Sequence, residues 1–418
     1  MIASGARPAR LQCATVWRSR QQYASMRREP TFAIVLAGSA AFLSLYATQP
    51  LLPLLARTFH ASRFAVGLTI TAPTIAVALF APLVGRLADR TGLRRVIVAS
   101  AFLLAVATAL AATSSSLTQL LLWRFVQGVI TPGIFAGAVA YIHEEWPAER
   151  AGRATAAYMT GTILGGFTGR AVAGLVAVDY NWEASFGALA VLTFAIAVAL
   201  FAWLPADRTP LQHHRDPGHS GSLRQHLRNR QLVTTYAIGF CVLFTQVAMF
   251  TYVTFHLAAP PYSLSTAALG WLFVVYLIGA VVTPFGGGWI DRYGHRAGLG
   301  IAMGIGATGA LLTVAPWLPV IVAGLALSST GVFIAQAATS SYIGAVTTHD
   351  RASAVGLYST FYYTGGSVGA ALPAALWSRG GWPACVALIV AVQIAGVLIA
   401  FTQWTPARAT HDVVLPEA

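Results

Sequence analysis

The fold is decided by the stretch APLVGRLADRTG at residues 81–92, which recurs as TPFGGGWIDRYG at residues 283–294. Pro, Gly, Asp, Arg and Gly return at matching positions of the two stretches, each time 202 residues later. A second group of glycines, at positions 165, 166 and 169, returns at positions 365, 366 and 369. Self-similarity at a fixed separation indicates a duplicated unit. The chain is therefore expected to consist of two related halves.

The composition of the chain is that of a membrane protein. Hydrophobic residues make up 56% and charged residues 9%, whereas an ordinary soluble domain carries about 25% charged residues. A membrane-spanning helix needs about 20 apolar residues, and stretches of this kind follow one another along the chain. They predict an all-α integral membrane protein with twelve transmembrane helices in two pseudo-symmetric six-helix bundles. The predicted spans are 31–54, 64–85, 95–113, 118–142, 154–177, 184–204, 231–256, 266–288, 297–315, 318–346, 353–376 and 383–404.

These spans set the predicted domain organisation. Its parts are a cytoplasmic tail at 1–30, an N-terminal bundle at 31–204, a cytoplasmic linker at 205–230, a C-terminal bundle at 231–405 and a second cytoplasmic tail at 406–418. The first tail is rich in arginine and is predicted to be disordered. Two alternatives stay open for it: an organellar targeting peptide, or a true start of the protein at Met26.

The basic residues define an orientation. All 26 of them are arginines, and 21 lie on one side of the membrane if the N-terminus is cytoplasmic. The opposite loops hold only Arg57, Arg63 and Arg379. Since arginine-rich loops stay in the cytoplasm, both termini are predicted to be cytoplasmic, in a multi-pass protein of the cell inner (plasma) membrane. The predicted partners are the lipid bilayer and a small-molecule substrate, with no nucleic acid, and the protein is predicted to be a monomer.

The segment from Gly85 to Arg95 resembles the loop signature G-x-L-a-D-r-x-G-r-k-r of the major facilitator superfamily, and its repeat follows the eighth span. The resemblance covers residues 30–405. It implies the fold of that superfamily, with a substrate site near the membrane midplane that opens to alternate sides. It also implies a conformational lock made of Gly85, Asp89, Arg90, Gly92, Arg94, Asp291 and Arg292.

Two further motifs lie in the fourth and fifth spans. LWRFVQG at 122–128, with Arg124, resembles the superfamily motif R-x-x-q-G. GTILGGFTGR at 161–170 resembles the motif g-x-x-x-G-P-x-x-G-G of drug:proton antiporters, but Gly166 replaces the usual Pro and Arg170 the final Gly. The resulting variant, G-x-x-x-G-G-x-x-G-R, resembles the acriflavine-sensitivity branch of these exporters. Small residues let helices approach closely, so helix packing is predicted for Gly161, Gly165, Gly166 and Gly169. The resemblance implies a proton gradient as driving force and no cofactor.

The charges inside the spans are predicted to be arginines. None of the acidic residues falls near a membrane midplane, and Glu144 and Glu145, at the cytoplasmic end of the fourth span, are the remaining candidates for coupling. Arg124 and Arg170 have no acidic partner in sequence. They bind an anionic or strongly polar substrate, since guanidinium groups hold such ions bidentately, or they are satisfied by backbone carbonyls and hydroxyls around broken helices. Both interpretations stay open.

Uncharged polar and aromatic residues of the spans are candidates for lining a substrate cavity, because lipid-facing positions disfavour them. Two of them, Tyr358 and Tyr362, are four residues apart and share a helix face. The alternative for each is a hydrogen bond between helices. The candidates are Tyr46, Gln49, Gln127, Gln246, Gln336, Tyr358 and Tyr362.

These features predict a secondary active transporter, specifically a proton-coupled exporter of small molecules or drugs that works by alternating access. Transport of sugars or organic anions is the alternative within the same class. An integral-membrane enzyme is disfavoured because no metal-ligand cluster or catalytic set is organised, and no metal site is predicted for Cys13, Cys241 and Cys385. A chain without lysine cannot contain the G-x-x-x-x-G-K-[ST] loop of a nucleotide-driven pump.

Overall fold

The computed structural model describes residues 31–146, 148–207, 225–347 and 350–404. Within these ranges the chain is helical and forms no strand. The N-terminal half comprises α1 to α8 and the C-terminal half α9 to α14. The helices are α1 Thr31–Leu43, α2 Leu52–Thr58, α3 Arg63–Phe80, α4 Val84–Thr91, α5 Leu93–Ala112, α6 Leu117–Glu145, α7 Ala148–Asp179, α8 Trp182–Trp203, α9 Arg230–Ala258, α10 Thr266–Trp271, α11 Val275–Leu312, α12 Leu318–Val346, α13 Arg351–Ala371 and α14 Pro373–Gln403.

Eight helical stretches in the described part of the chain are long and apolar enough to cross a membrane. Of the remaining predicted spans, the first and the eighth are interrupted helices, the ninth continues from the eighth within α11, and the eleventh corresponds to α13. The first span breaks after Leu43, where turns at 44–48 and a short 3₁₀ helix at 49–51 separate α1 from α2. Pro50 and Pro53 lie in and just after this break, and neither has an N–H group to continue helical hydrogen bonding.

The other interruptions lie at glycines and at another short 3₁₀ helix. Residues 272–274 join α10 to α11, so that the eighth span is also an interrupted helix. Gly294 has a φ of 80° and turns the chain from the eighth span into the ninth; only glycine adopts such a φ without strain. The kink at Gly380 and Gly381 separates the eleventh span from the twelfth. The predicted architecture of twelve transmembrane helices in two six-helix halves is confirmed.

Glycines bring the same pair of helices together in each half. Gly161, Gly165 and Gly169 of α7 face the first span so closely that a Cβ atom at any of them would overlap a backbone carbonyl oxygen there. Gly365 and Gly369 of α13 approach α9 in the same way. Close backbone contact of this kind is how helices gain packing energy in a membrane, where the hydrophobic effect does not drive them together.

The two halves meet closely at one end of the bundle. We call the end that holds residues 59–62, 180–181, 259–265 and 380–381 the far end, because residues 31 and 404 lie at the opposite one. On one side, the hydroxyl of Thr71 in α3 donates to the carbonyl of Ser367 in α13 at 2.9 Å. On the other side, a Cβ atom at Gly270 of α10 would lie 3.3 Å from Cα of Gly174 in α7. The far end is closed in this conformation.

Substituting Gly165 tests the contact between α1 and α7. We expect Gly165→Ala to lower the free energy of unfolding by about 1–3 kcal/mol, the usual cost of overpacking, because the added methyl group overlaps the carbonyl oxygen of Ser39. Gly187→Ala is the matched control, since a Cβ atom there meets nothing within 4 Å. Thermal unfolding of the purified protein measures both, and equal midpoints for the two variants would contradict the packing assignment.

Candidate functional site

Arg124 lies in α6 and is fully buried. Its Nε donates a hydrogen bond to the carbonyl oxygen of Thr69 at 2.9 Å, and Nη1 donates to that of Ser44 at 2.8 Å. Nη2 donates to the carbonyl oxygen of Leu45, and Nη1 also donates to Oε1 of Gln127 at 2.5 Å. Nearly all of the N–H groups of the guanidinium are thus used within the protein.

The carbonyl groups that bind Arg124 lack their helical partners. The oxygen of Thr69 would normally accept from the N–H of residue 73, but residue 73 is a proline and has none. Ser44 and Leu45 lie in the break after α1, outside any helix. Backbone groups inside a membrane must be satisfied within the protein. Arg124 therefore donates to backbone carbonyl groups at two places where the helices are interrupted. Its contacts match the second interpretation from the sequence, in which a buried arginine is satisfied by the backbone of broken helices.

Arg170 lies in α7 and has a different environment. Its Nε donates to Oε1 of Gln49 at 2.7 Å, and its Nη1 donates to the carbonyl oxygen of Gly166 at 2.5 Å. Nη2 donates no hydrogen bond within the described residues. The side chain is only 4% exposed. A buried charge without an acidic partner is costly in a membrane, so the other neighbours of this guanidinium matter.

Aromatic rings surround the guanidinium of Arg170. Its Cζ lies 5.1 Å from the ring centroid of Tyr46, 4.6 Å from that of Phe273 and 5.2 Å from that of Tyr276. Distances of this size allow cation–π attraction to each ring. Tyr46 belongs to the N-terminal half, whereas Phe273 and Tyr276 belong to the C-terminal half. We call Arg170, Tyr46, Phe273 and Tyr276 the arginine cage.

A hydrogen bond joins the halves beside the arginine cage. Gln49, which accepts from Arg170, donates through Nε2 to the hydroxyl of Thr251 in α9 at 3.3 Å. Gln49 and Thr251 are 202 residues apart and so occupy equivalent positions in the two repeats. The amide of Gln49 therefore connects Arg170 of one half to α9 of the other.

Further aromatic residues extend the cage. Tyr276 packs edge-on against Phe250 at 4.6 Å between ring centroids and against Phe333 at 5.6 Å. Tyr362 and Tyr363 of α13 lie near Tyr46. The centre between the halves is thus lined by phenol and phenyl rings from both of them.

Two polar groups near this centre have no hydrogen bond. The hydroxyl of Tyr46 lacks a partner in the described part of the protein. The amide of Gln246 lies beside Tyr276, but neither its nitrogen nor its oxygen makes a hydrogen bond of good geometry. Both side chains are buried, at 6% and 7% exposure. Buried polar groups are normally paired, so these two are available to a bound molecule.

The other predicted cavity residues are distributed around the centre. Gln127 lies away from the cage and is held by Arg124 and by the hydroxyl of Thr108, to which its Nε2 donates at 2.9 Å. Tyr358 and Tyr362 stack at 5.6 Å between centroids, in line with their spacing. Gln336 in α12 is half-buried. Of the predicted set, Tyr46 and Gln49 contact Arg170 directly.

Gly166 has a role other than the packing predicted for it. A Cβ atom at this position would lie 3.2 Å from Nη1 of Arg170 and 4.0 Å from the nearest atom of α1. Its carbonyl oxygen accepts from that same Nη1. Gly166 therefore leaves space for the arginine side chain, unlike its neighbours Gly161, Gly165 and Gly169, which contact the first span.

No acidic side chain described by the structure is buried. Glu144 is exposed and Glu145 half-buried, both at the end of α6 that lies opposite the far end, and both interact with other residues. The described residues contain no group of three His, Cys, Asp or Glu able to hold a metal ion.

Part of the predicted lock lies outside the described side chains, namely Gly85, Asp89 and Asp291. Gly92 has a φ of 92° and joins α4 to α5. Arg90 and Arg292 are exposed. These residues lie at the end opposite the far end, where the chain of each half turns into its third span.

Arg94 is bound within its own half. Nε donates to the carbonyl oxygen of Leu204 at 2.6 Å, Nη2 donates to that of Phe201 at 2.7 Å, and the backbone N–H donates to Oδ1 of Asp207 at 3.0 Å. The last carbonyls of a helix have no helical partner, so Arg94 caps α8. Arg296 makes the equivalent contact in the C-terminal half, with the carbonyl oxygen of Phe401.

Sequence reasoning missed several residues of the site. Phe273, Tyr276 and Thr251 were not predicted, although Thr251 could have been found as the repeat equivalent of Gln49. Arg296 could have been found in the same way from Arg94. Phe273 and Tyr276 gave no signal, because aromatic residues are common in membrane spans and nothing in sequence pairs them with Arg170.

Two six-helix halves that meet over a buried polar and aromatic centre define a polytopic membrane transporter. The chain belongs to the Major Facilitator Superfamily, whose family model matches residues 34–264 and 255–415. Its members are transporters rather than enzymes, and their substrates are small molecules.

Relatives and solved structures agree with this assignment. The chain is 34% identical over 377 residues to "Uncharacterized MFS-type transporter YybF" of Bacillus subtilis (strain 168), covering 89% of this chain and 93% of the relative. It is 30% identical over 376 residues to "Inner membrane transport protein YnfM" of Escherichia coli (strain K12), covering 88% and 89%. The fold is similar to that of a bacterial homolog to the human lysosomal transporter Spinster in an inward-facing and occupied conformation, with a TM-score of 0.71, 16% identity, and coverage of 96% of this chain and 100% of that one.

The structural role of Arg124 can be tested by substitution. We expect Arg124→Gln to lower the free energy of unfolding by roughly 3 kcal/mol, because it leaves the buried carbonyl groups of Thr69 and Leu45 without a donor, each at about 1–3 kcal/mol, whereas Ser44 keeps its bond from the N–H of Ala47. Arg379→Gln is the control, since Arg379 is exposed. Thermal unfolding in detergent measures both variants. If Arg124→Gln unfolds at the same temperature as Arg379→Gln, the backbone of the broken helices does not depend on Arg124.

Proposed function

We propose that this transporter is a proton-coupled exporter of small amphipathic molecules that works by alternating access. The observation that carries the proposal is the arginine cage, because both halves contribute to it and it lies where they meet. In a transporter built from repeats, a site between the halves is exposed to one side or the other as the halves rock. Aromatic walls with a few polar groups suit amphipathic molecules.

The contacts at the far end supply the closed state of this cycle. Opening the far end separates α7 from α10 and breaks the hydrogen bond between Gln49 and Thr251. It also withdraws Arg170 from Phe273 and Tyr276, at a cost of about 0.5–2 kcal/mol for each cation–π contact. The free energy needed to break these contacts is comparable to the difference in binding free energy by which a ligand shifts a two-state equilibrium. Substrate and proton binding can therefore control the exchange between states.

Proton coupling is proposed from the resemblance of α7 to the antiporter motif and from the acids that remain. Since no described acid is buried near the centre, we assign the proton to residues near the end opposite the far end, with Asp89, Glu144 and Glu145 as candidates. Protonation there would release the lock between the halves. We further propose a monomer in the inner membrane with both termini in the cytoplasm, which places the far end outside.

The lock assignment predicts the behaviour of Asp89→Asn. We expect membrane insertion to be retained while substrate-dependent proton flux falls by roughly tenfold or more, equivalent to about 1.4 kcal/mol in the barrier. The measurement is flux in proteoliposomes under an imposed pH gradient. Asp179→Asn, which changes an exposed acid at the far end, is the control. Unchanged kinetics for Asp89→Asn would remove this residue from the mechanism.

Alternating access predicts that a bulky residue at Gly270 stops transport. We expect Gly270→Leu to hold the far end open, because a Cβ atom at this position already lies 2.7 Å from the carbonyl oxygen of Arg170. Spin labels at Asn181 and Ser378, exposed at the far end of opposite halves, should then move apart. Gly304→Leu is the matched control, since its Cβ meets nothing within 4 Å. An unchanged label distance in Gly270→Leu would argue against closure through α7 and α10.

Export itself is tested by resistance profiling in a host that lacks its main exporters. Overexpression is expected to raise tolerance to at least one dye, antibiotic or metabolite, and Asp89→Asn to abolish the gain. A second candidate function is transport of organic anions or sugars, which the unused Nη2 of Arg170 favours. Uptake of organic anions and sugars by cells that overexpress the protein tests this candidate.

A further inference from the structure

We propose that the arginine cage recognises a carboxylate attached to an aromatic or similarly flat apolar group, with the carboxylate bound by Nη2 of Arg170. This inference rests on the proposed function and names the substrate class of the same site. It starts from the difference between the two buried arginines. Arg124 has its guanidinium occupied by backbone carbonyls and Gln127, whereas Arg170 keeps one terminal nitrogen unoccupied.

The hydrogen bonds of Arg170 leave a defined edge of the guanidinium available. Nε is used by Gln49 and Nη1 by Gly166, so that the N–H groups of Nη2 remain without an acceptor in the described residues. Tyr46, Phe273 and Tyr276 lie within 5.2 Å of Cζ. A ligand must therefore approach the guanidinium at its Nη2 edge, where a carboxylate forms charge-assisted hydrogen bonds.

Charge balance favours an anion at this edge. The ionisable side chains beside Arg170 are the phenols of Tyr46 and Tyr276, and no Asp or Glu is buried in the described part of the protein. Rings and amides only partly replace the solvation that the guanidinium loses on burial. A bound carboxylate supplies the missing negative charge in a region of low dielectric constant, where such an interaction is stronger than in water.

The unpaired neutral groups complete the recognition site. The hydroxyl of Tyr46, which has no partner in the described residues, and the amide of Gln246, which lies beside Tyr276 without a hydrogen bond of good geometry, can each donate to a carboxylate oxygen. Tyr276, Phe250 and Phe333 form a continuous set of rings next to Arg170. Offset or edge-on contact with these rings suits a flat apolar group. The site thus selects for an anionic head and an aromatic body together.

The test measures equilibrium binding to the full chain in phosphatidylcholine nanodiscs, by isothermal titration calorimetry. The probes are 3-phenylpropionate, its neutral isostere 3-phenylpropionamide and the cation 3-phenylpropylamine. We expect the carboxylate to bind the unsubstituted protein at least about tenfold more tightly than the amide, because charge-assisted hydrogen bonds are stronger than neutral ones. Equal affinities, or no binding of the carboxylate, would overturn the proposal.

Variants assign the preference to Arg170. Arg170→Gln should lower the affinity for the carboxylate about tenfold or more and leave that for the amide unchanged. Arg63→Gln is the matched control, because Arg63 also makes a cation–π contact across the halves, at 5.0 Å from the ring centroid of Trp377, but lies outside the cage. It should keep the full preference. A preference that survives Arg170→Gln would sink the assignment.

Two further arms keep the result interpretable. If Arg170→Gln does not fold, Arg170→Lys retains the charge but not the fixed fork of donors, and it should show a weaker preference for the carboxylate. In nanodiscs that contain phosphatidylglycerol, the affinity for 3-phenylpropionate should not change, because the cage is enclosed by both halves. A tenfold loss there would identify an anionic lipid, not a soluble acid, as the ligand.

The binding readout separates this inference from the proposed function. If the carboxylate shows no preference but proton-driven transport of neutral or cationic compounds is observed, only the substrate class is wrong. If the preference is present and no proton-driven transport occurs, the site is correctly identified and the coupling is not.

Discussion

A carbonyl oxygen that loses its N–H partner inside a membrane must find another donor, and the centre of this protein depends on how that requirement is met. Pro73 removes the partner of Thr69, and the turns after Leu43 leave Leu45 without one and give Ser44 only a turn bond from the N–H of Ala47. One guanidinium, that of Arg124, binds all three oxygens. Without such a donor, the first span would have to continue as a regular helix, because water is absent at this depth.

The break in the first span determines what lies at the centre. Residues 44–51 form turns and a 3₁₀ helix, and this segment carries Tyr46 and Gln49. Both contact Arg170, one through its ring and the other through its amide oxygen. Gln49 then reaches Thr251 of the opposite half. Arg124 thus fixes the backbone of the segment whose side chains contact Arg170.

The architecture could be predicted from the sequence to a large extent, and the site only in part. The number of spans follows from the hydrophobic stretches, and the two halves follow from the repeat at 202 residues. Both can be recognised from the order of residues along the chain, without knowledge of which helices pack together. Arg124, Arg170, Tyr46 and Gln49 were recognisable because polar groups are costly in a span. The sequence could not reveal that Arg124 serves the backbone while Arg170 faces the centre. That difference depends on Pro73 in another helix and on the rings of Phe273 and Tyr276 in the other half. The sequence around each arginine contains no sign of these distant neighbours.

The arginine cage also has a consequence for how such proteins diverge. Its cation comes from one half and two of its three rings come from the other, whereas the clamps at Arg94 and Arg296 and the contacts of Gly161, Gly165, Gly365 and Gly369 each lie within one half. A substitution at position 46, 170, 273 or 276 of one half therefore changes the surroundings of side chains in the other. A recombination event that joined this N-terminal half to the C-terminal half of a paralogue would preserve both bundles and leave a buried guanidinium facing unsuited side chains. At the arginine cage the duplicated halves depend on each other, which acts as a barrier to exchange between lineages.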